Sequence, residues 1–355
     1  MSAGPDAPSW LTAEWLTDVL RRNGDSSGAS VESFTVESPR ATIISNVMRL
    51  RLAYSPPGDA GPRTLFLKMA RRDVDAAVAR GGSREVSFYS TAAPLTPDGL
   101  LPRCYEARYL EEGPTFHLVM EDLSDTHGLV SPWPLPPTVE QCERIIETYA
   151  RFHAFWWDHP QLGISVGRFS GEHELEGYLA GYERRFAAFA DTLGDRLSPE
   201  RRRIYERIFA MGGRLFERYR TRRDLTLVHG DAHVWNLLYP SEGHGGSIRL
   251  IDWDSWRIDT ATDDLAYMMA MHWYPERRAR LERRFLEMYH RILTEAGVTG
   301  HALEALREDY RHSVVGQLAV PVWQCTVKIG AWIWWGHLER IMLAFDDLRC
   351  EELLG

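Results

Sequence analysis

Cysteine is scarce: the 355 residues hold four, Cys104, Cys142, Cys325 and Cys350, far apart and with no CxxC pair. That spacing implies neither a zinc knuckle nor a disulfide framework, and points to reduced thiols in a cytoplasmic protein. Positive charge is in deficit. Lys and Arg number 41 against 50 Asp and Glu, a formal net charge of −9, whereas a duplex binder usually presents a basic face, so no nucleic-acid partner is expected. No apolar run approaches the roughly 18–20 residues that cross a bilayer, so no membrane partner is expected either. Met1 to Ser9 has neither the basic start nor the apolar core of a secretory signal. There is no Walker A pattern, which leaves P-loop chemistry unsupported, and no internal repeat. What remains is 44% hydrophobic and 26% charged residues, with 13 Trp, the balance of an ordinary globular chain long enough for two lobes.

The N-terminal part alternates. A first helix is expected where Ser9 or Thr12 can cap a stripe of Trp15, Leu16, Val19 and Leu20, with Gly24 ending it. Met48, Leu50, Leu52 and Tyr54 recur with a period of two, a strand that stops at the Ser55-Pro56-Pro57-Gly58 turn. Thr64 to Ala70 reads as a strand carrying Lys68 among apolar residues. A short helix follows from Ser83 to about Ala93, then strands near Cys104–Leu110 and Phe116–Glu121. The Pro-rich stretch from Ser131 to Pro137 reads as a junction. Beyond it, helical spacing covers Val139 to His153, Glu172–Asp191, Pro199–Arg220, Pro275–Ala296 and, in pieces, His301–Leu353. A small strand island at Leu225–Val228, Asn236–Tyr239 and Ile248–Ile251 interrupts the helices. The expected division is 1–123 as a β-rich N-terminal lobe, 124–137 as the junction, and 138–355 as a helical lobe with a small β insert.

The segment that carries chemistry is His229-Gly230-Asp231-Ala232-His233-Val234-Trp235-Asn236, followed 16 residues after Asn236 by Asp252 in Leu250-Ile251-Asp252-Trp253-Asp254. An Asp and an Asn five apart on a loop, with a second Asp ending a later strand, suit phosphoryl transfer. One carboxylate orients the attacking hydroxyl and takes its proton, while an amide oxygen and another carboxylate hold Mg²⁺ against the phosphates. The spacing H-x-D-x-x-x-x-N is that of the protein-kinase catalytic loop, with Gly230 where that pattern has Arg. Other readings are open at this stage. His229, Asp231 and His233 alternate as metal ligands of a hydrolase could. Gly24-Asp25-Ser26-Ser27-Gly28 matches the serine-hydrolase G-x-S-x-G, but it follows a helix where a nucleophile elbow follows a strand.

In His229-Gly-Asp-x-His-x-x-Asn236, Ile251-Asp-Trp-Asp254 and Asp264-Leu-Ala-Tyr267 the sequence resembles the aminoglycoside phosphotransferase and choline kinase superfamily, including its ecdysteroid-kinase-like branch. The resemblance implies an α+β fold of two lobes, protein-kinase-like, with a β-rich N-lobe and a mainly helical C-lobe. It implies a kinase that uses ATP or GTP with Mg²⁺ to phosphorylate a hydroxyl of a small molecule, an antibiotic or other secondary metabolite among the candidates. Asp231 would be the catalytic base, Asn236 and Asp252 the Mg²⁺ ligands, and Asp264 a brace for the catalytic loop. His229, His233 and Asp254 would support it. Such a fold needs a strand Lys on the α/β-phosphates and a helix Glu paired with it; Lys68 and Glu85 fit. Met120, Glu121 and Leu123 fit the segment that borders the adenine edge. Arg40 to Asn46, where a protein kinase has a Gly-rich loop, holds no glycine, and Ser45 and Asn46 are its phosphate-facing candidates.

For the acceptor the candidates are Trp323, Trp332, Trp335 and Asp259, with Trp334 beside them. The acidic residues Asp254, Asp259, Asp263, Glu339, Asp346 and Asp347 could favour a cationic acceptor. His153, on an apolar helix stripe, reads as a core histidine or a support for the site. The non-catalytic rival is a pseudokinase, a nucleotide-binding module of the same fold; it usually lacks one of the four residues Lys68, Asp231, Asn236 and Asp252, all of which are present.

Overall fold

Thr12 is the cap the first helix needs: its Oγ1 accepts the Trp15 N–H at 3.1 Å, and α1 (Ala13–Arg22) runs from there to Asn23 and Gly24, the latter at φ +75°. The computed structural model describes residues 7–25, 28–42, 45–55, 61–71, 81–110 and 115–355. Ser26 of the G-x-S-x-G match, the Pro56–Gly58 turn and Ile43–Ile44 of the phosphate-loop candidate lie outside the described residues, as do the first six residues.

Five antiparallel strands follow in the order β1-β2-β3-β5-β4: β1 (Ser30–Ala41), β2 (Ser45–Ser55), β3 (Thr64–Ala70), β4 (Cys104–Leu110) and β5 (Thr115–Glu121). The alternation of β2 places Met48, Leu50, Leu52 and Tyr54 on one buried face. They pack with Leu16 and Leu20 of α1 and with Leu65, Leu67 and Val119. Strand β1 is not evident from the sequence. Its register slips between Val31 and Ser33 and again between Glu37 and Arg40, which destroys the period of two, and much of it is exposed at the sheet edge. Helix α2 (Gly81–Thr91) lies against β5 at Gly82, where a Cβ would stand 1.9 Å from the Phe116 ring. Only glycine allows that approach.

Strand β5 also carries His117. Its ring stacks on Trp10 at 4.4 Å between centroids and meets Trp15 edge-on. Burial, aided by Arg108, lowers its pKa from 6.5 to about 4. The imidazole is therefore neutral in the folded chain and must be protonated to follow the unfolded chain into acid. The contribution to stability is complete above about pH 6.5 and is lost as pH falls through 4, about 3 kcal/mol in all at 1.36 kcal/mol per unit. His117→Phe should flatten the stability-versus-pH curve between pH 7 and 4 relative to wild type in chemical denaturation; parallel curves would contradict this.

Five short strands come next: β6 (His127–Gly128), β7 (Thr226–Val228), β8 (Leu237–Pro240), β9 (Arg249–Leu250) and β10 (Arg257–Asp259). The sequence groups the middle three as one island, but the pairing divides them. β8 joins β6 and β9, while β7 pairs with β10. The division matches the two compact units of the chain, 1–132 with 235–256 and 133–234 with 257–355. The second unit is helical: α3 (Val139–Trp156), α4 (Glu172–Leu193), α5 (Pro199–Met211), α6 (Thr262–Leu265), α7 (Pro275–Glu295), α8 (Leu303–Gln317), α9 (Ala319–Thr326) and α10 (Ala331–Asp347). A capping box between Thr138 and Gln141 starts α3. The single helix expected over Pro199–Arg220 instead breaks at Gly212, which takes φ +54°, and continues as a 3₁₀ stretch, Gly212–Thr221. Among the described residues no helix is long and apolar enough to cross a membrane.

Candidate active site

Lys68 sits in the middle strand of the five, paired in register with Val47 on one side and Leu118 on the other. A lysine there is 7% exposed, and an ammonium so buried needs partners. It has two: Glu85 Oε2 of α2 at 2.7 Å and Asp252 Oδ1 at 2.6 Å. Burial disfavours the ammonium, but the charges of Glu85 and Asp252, with their hydrogen bonds, outweigh it and hold its pKa above the ordinary lysine value. Glu85 is buried at the closed end of this triad, whereas the Asp252 side chain is 41% exposed. Asp252 is thus the open end, the side from which a ligand can be met.

Local packing fixes Asp252. It follows β9 and takes φ +68°, a left-handed conformation that Asp tolerates better than most residues. The next residue, Trp253, is fully buried and lies parallel to Phe88 of α2, 3.9 Å between centroids; its indole N–H donates to the Leu250 carbonyl at 3.3 Å. Trp256 donates to the Arg84 carbonyl of the same helix at 2.7 Å. Phe88 is three residues from Glu85 and so shares its helix face. One helix therefore sets both the lysine's partner and the loop that carries Asp252. Asn236 is buried, and its carbonyl accepts the Ile251 N–H at 3.1 Å. With Leu237 opposite Leu250, Asn236 and Asp252 emerge at the same end of the β8–β9 ladder. Both offer oxygen, the donor type a hard cation such as Mg²⁺ prefers.

The second unit holds Asp231, on the loop after β7. Gly230 takes φ +78°, which explains a glycine where the kinase loop has Arg. The Asp264 carboxylate, fully buried in α6, accepts the His229 N–H at 2.7 Å and the Gly230 N–H at 2.9 Å. It also accepts from His153 Nε2 at 3.1 Å, and the other nitrogen of that ring lies 2.7 Å from Tyr289 Oη. An ionised carboxylate only accepts, so Nε2 carries the hydrogen. Burial works against the Asp264 charge; the His153 bond and nearby His229 prevail and hold it below the usual carboxylate range. His153 is thus a buried support. The Asp231 carboxylate has Tyr267 Oη on Oδ1 at 2.5 Å, and His233 Nε2 lies 3.5 Å from Oδ2. The Asp231 N–H donates to His229 Nδ1 at 3.3 Å.

The other candidates fall as follows. Ser45 is buried and closes the β1–β2 connection, its N–H on Thr42 Oγ1 and its carbonyl accepting the Thr42 N–H; Asn46 pairs with Ala41 and Met69. Met120 and Leu123 are buried. The Glu121 N–H already serves the Arg103 carbonyl, and the Leu123 carbonyl accepts from Thr126 and His127. Asp254 accepts from Ser255 at 2.8 Å. Asp259 is buried with Arg257 at 2.8 Å and Tyr219 at 2.7 Å; Asp263 also pairs with Arg257, Asp346 with Arg201 and Asp347 with Arg278. Asp259 and Asp263 share one cation, Arg257, and Asp347 shares Arg278 with Glu282, so each has an Arg partner but the carboxylates outnumber the guanidiniums. Trp323 is 48% and Trp332 70% exposed, Trp332 meeting Trp133 edge-on. Trp335 is half-buried beside Trp334, which packs on Phe189. Among the described residues no group of three or more His, Cys, Asp or Glu is arranged to hold a metal ion, so His229, Asp231 and His233 do not form a hydrolase-type ligand set. Two supports escaped the sequence reading, Tyr267 and the Trp253–Phe88 stack. Tyr267 had a signal, since it closes the Asp264-Leu-Ala-Tyr267 motif.

Comparison with known proteins agrees with this arrangement. The model of the ecdysteroid kinase-like family matches residues 42–298. Among curated proteins none matches. A solved structure of an aminoglycoside phosphotransferase candidate from Ralstonia eutropha superposes with a TM-score of 0.56 at 13% identity, over 95% of this chain and 98% of the other. An ethanolamine kinase from Plasmodium vivax gives 0.51 at 12%, over 90% and 82%. Amicoumacin kinase, solved with AMP-PNP and Ca²⁺, gives 0.50 at 13%, over 93% and 92%. At these identities the likeness is one of fold: a kinase-like α+β architecture with an antiparallel sheet followed by helices.

Proposed function

We propose that this chain, which belongs to the ecdysteroid kinase-like family, is a kinase that transfers phosphate from ATP or GTP, with Mg²⁺, to a hydroxyl of a small molecule. The observation that carries the reading is the Lys68 ammonium held between Glu85 and the open carboxylate of Asp252. A buried lysine clamped this way presents a fixed positive charge suited to the α/β-phosphates. Asn236 and Asp252 supply oxygen ligands for the metal, which when bound neutralises phosphate charge. Met120, Glu121 and Leu123 border the base, Ser45 and Asn46 the phosphates. Asp231 receives the acceptor's proton and aligns its oxygen, and Asp264 with His229 keeps the Asp231 backbone in place. Positioning and charge neutralisation then account for most of the rate.

In this reading residues 1–123 bind nucleotide, 124–137 join the lobes, and 138–355 bring Asp231 and the acceptor residues. Trp323, Trp332 and Trp335 are the aromatic candidates for the acceptor. Asp259, bonded to Arg257 and Tyr219, contributes through that network, and the aromatic faces of the three tryptophans would suit a cationic acceptor. The acceptor class extends to antibiotics and other secondary metabolites, and the protein acts in the cytoplasm. A nucleotide-consumption assay over aminoglycosides, macrolides, choline, nucleosides, polyols and steroids tests the proposal. Consumption dependent on one acceptor supports it, and nucleotide binding without consumption on any would favour the pseudokinase.

A further inference from the structure

Asp264 and Tyr267 belong to one continuous buried piece, α6 and the π-helical turn Ala266–Met271 that follows it. Asp264 takes the backbone N–H groups of the Asp231 loop; Tyr267, three residues on and 6% exposed, takes the carboxylate itself. π-turns recur at functional sites because they rotate one side chain out of helical phase. The contact is a phenol O–H on an acceptor-only carboxylate, at 2.5 Å a charge-assisted bond. It distinguishes the two oxygens of Asp231. Oδ1 is committed to Tyr267, and Oδ2 is the one beside His233, whose side chain is 24% exposed.

We infer that Tyr267 is a positioning residue: its bond to Oδ1 fixes the orientation in which the Asp231 carboxylate meets the acceptor's hydroxyl. This rests on the kinase reading above. In that step the acceptor O–H bond breaks and its proton passes to the Asp231 carboxylate. The acceptor oxygen bonds to the γ-phosphorus, and the β–γ bridging oxygen leaves with the nucleoside diphosphate. Without the phenol the carboxylate can rotate, and both oxygens sample unproductive directions.

The ionisable groups near Asp231 include His229 and His233 on its own loop, Tyr149 of α3, Tyr267 and His337 of α10. Burial, with Arg340 and His233, lowers His337 to about 4, so at neutral pH its imidazole is uncharged. Removing the Tyr267 hydroxyl withdraws the hydrogen bond to Asp231 Oδ1 and lets the carboxylate turn about its own axis.

The test is Tyr267→Phe, which keeps the ring and changes one atom. We expect kcat to fall roughly ten- to a hundred-fold, with KM for nucleotide unchanged. In an Asp231→Asn background the same substitution should cost nothing further, since the two act as one unit. A kcat equal to wild type, or a fall that persists in full in the Asp231→Asn background, overturns the inference. The ¹³C resonance of the Asp231 carboxyl at neutral pH, compared in wild type and Tyr267→Phe, needs no acceptor: a changed chemical shift supports the bond and coincident resonances refute it. Absent wild-type turnover on every acceptor would instead count against the kinase reading, leaving the resonance to judge the Tyr267–Asp231 bond by itself.

Discussion

Asp231→Asn should reduce turnover by about 10²–10⁴-fold, the range for losing a positioned general base, while leaving fold and nucleotide affinity in place. The side chain is neither core nor cap. It stands partly exposed at the end of a loop whose backbone is held by Asp264 through His229 and Gly230, so an isosteric amide removes the proton acceptor and little else. The paired readouts are kcat with the acceptor identified by the panel and the thermal midpoint of the purified variant. A midpoint within a few degrees of wild type with kcat collapsed is the expected result. Undiminished turnover would remove Asp231 from the chemistry.

Lys68→Met should be costly in a second way. The substitution leaves Glu85 buried without its cation, and breaking a buried pair by removing one partner costs about 3–5 kcal/mol. If Lys68 meets the phosphates as proposed, nucleotide affinity should disappear with its charge. The double variant Lys68→Met/Glu85→Leu separates the two effects, because replacing both partners of a buried pair with apolar groups is often close to neutral. Most of the lost stability should return in denaturant unfolding, and nucleotide binding should not. A double variant that binds nucleotide like wild type would show that the pair is only structural; one as unstable as the single variant would show that Lys68 is held chiefly by Asp252.

Much of this was readable before any coordinates. Local signals survived because they are satisfied locally: Thr12 caps the helix it precedes, and the alternation of Met48 to Tyr54 is the buried face of β2. The Asp231-to-Asn236 spacing and the later Asp252 marked the candidate site because the proposed phosphoryl transfer would demand those groups on short, separate segments. What stayed hidden depends on partners far along the chain. β1 has no clean alternation because its bulges and exposed edge relax the pattern. β7, β8 and β9 look like one island in sequence, and only pairing with His127–Gly128 and Arg257–Asp259 separates them. Asp259 and Asp263 read as open acidic groups until Arg257 is placed between them. Tyr267 was visible as a motif residue, but its target lies 36 positions upstream. Gly212-Gly213 warned of a break in the helix after Pro199, and the φ of +54° realises it.

The most direct measurement is a calorimetric titration of ATP into wild type and Asp252→Ala, each with and without Mg²⁺. The proposed roles of Lys68, Asn236 and Asp252 predict wild-type binding that strengthens with Mg²⁺ and a variant that has lost the metal-dependent increment. A wild-type chain that binds no nucleotide, or an Asp252→Ala isotherm that responds to Mg²⁺ as wild type does, would contradict those roles.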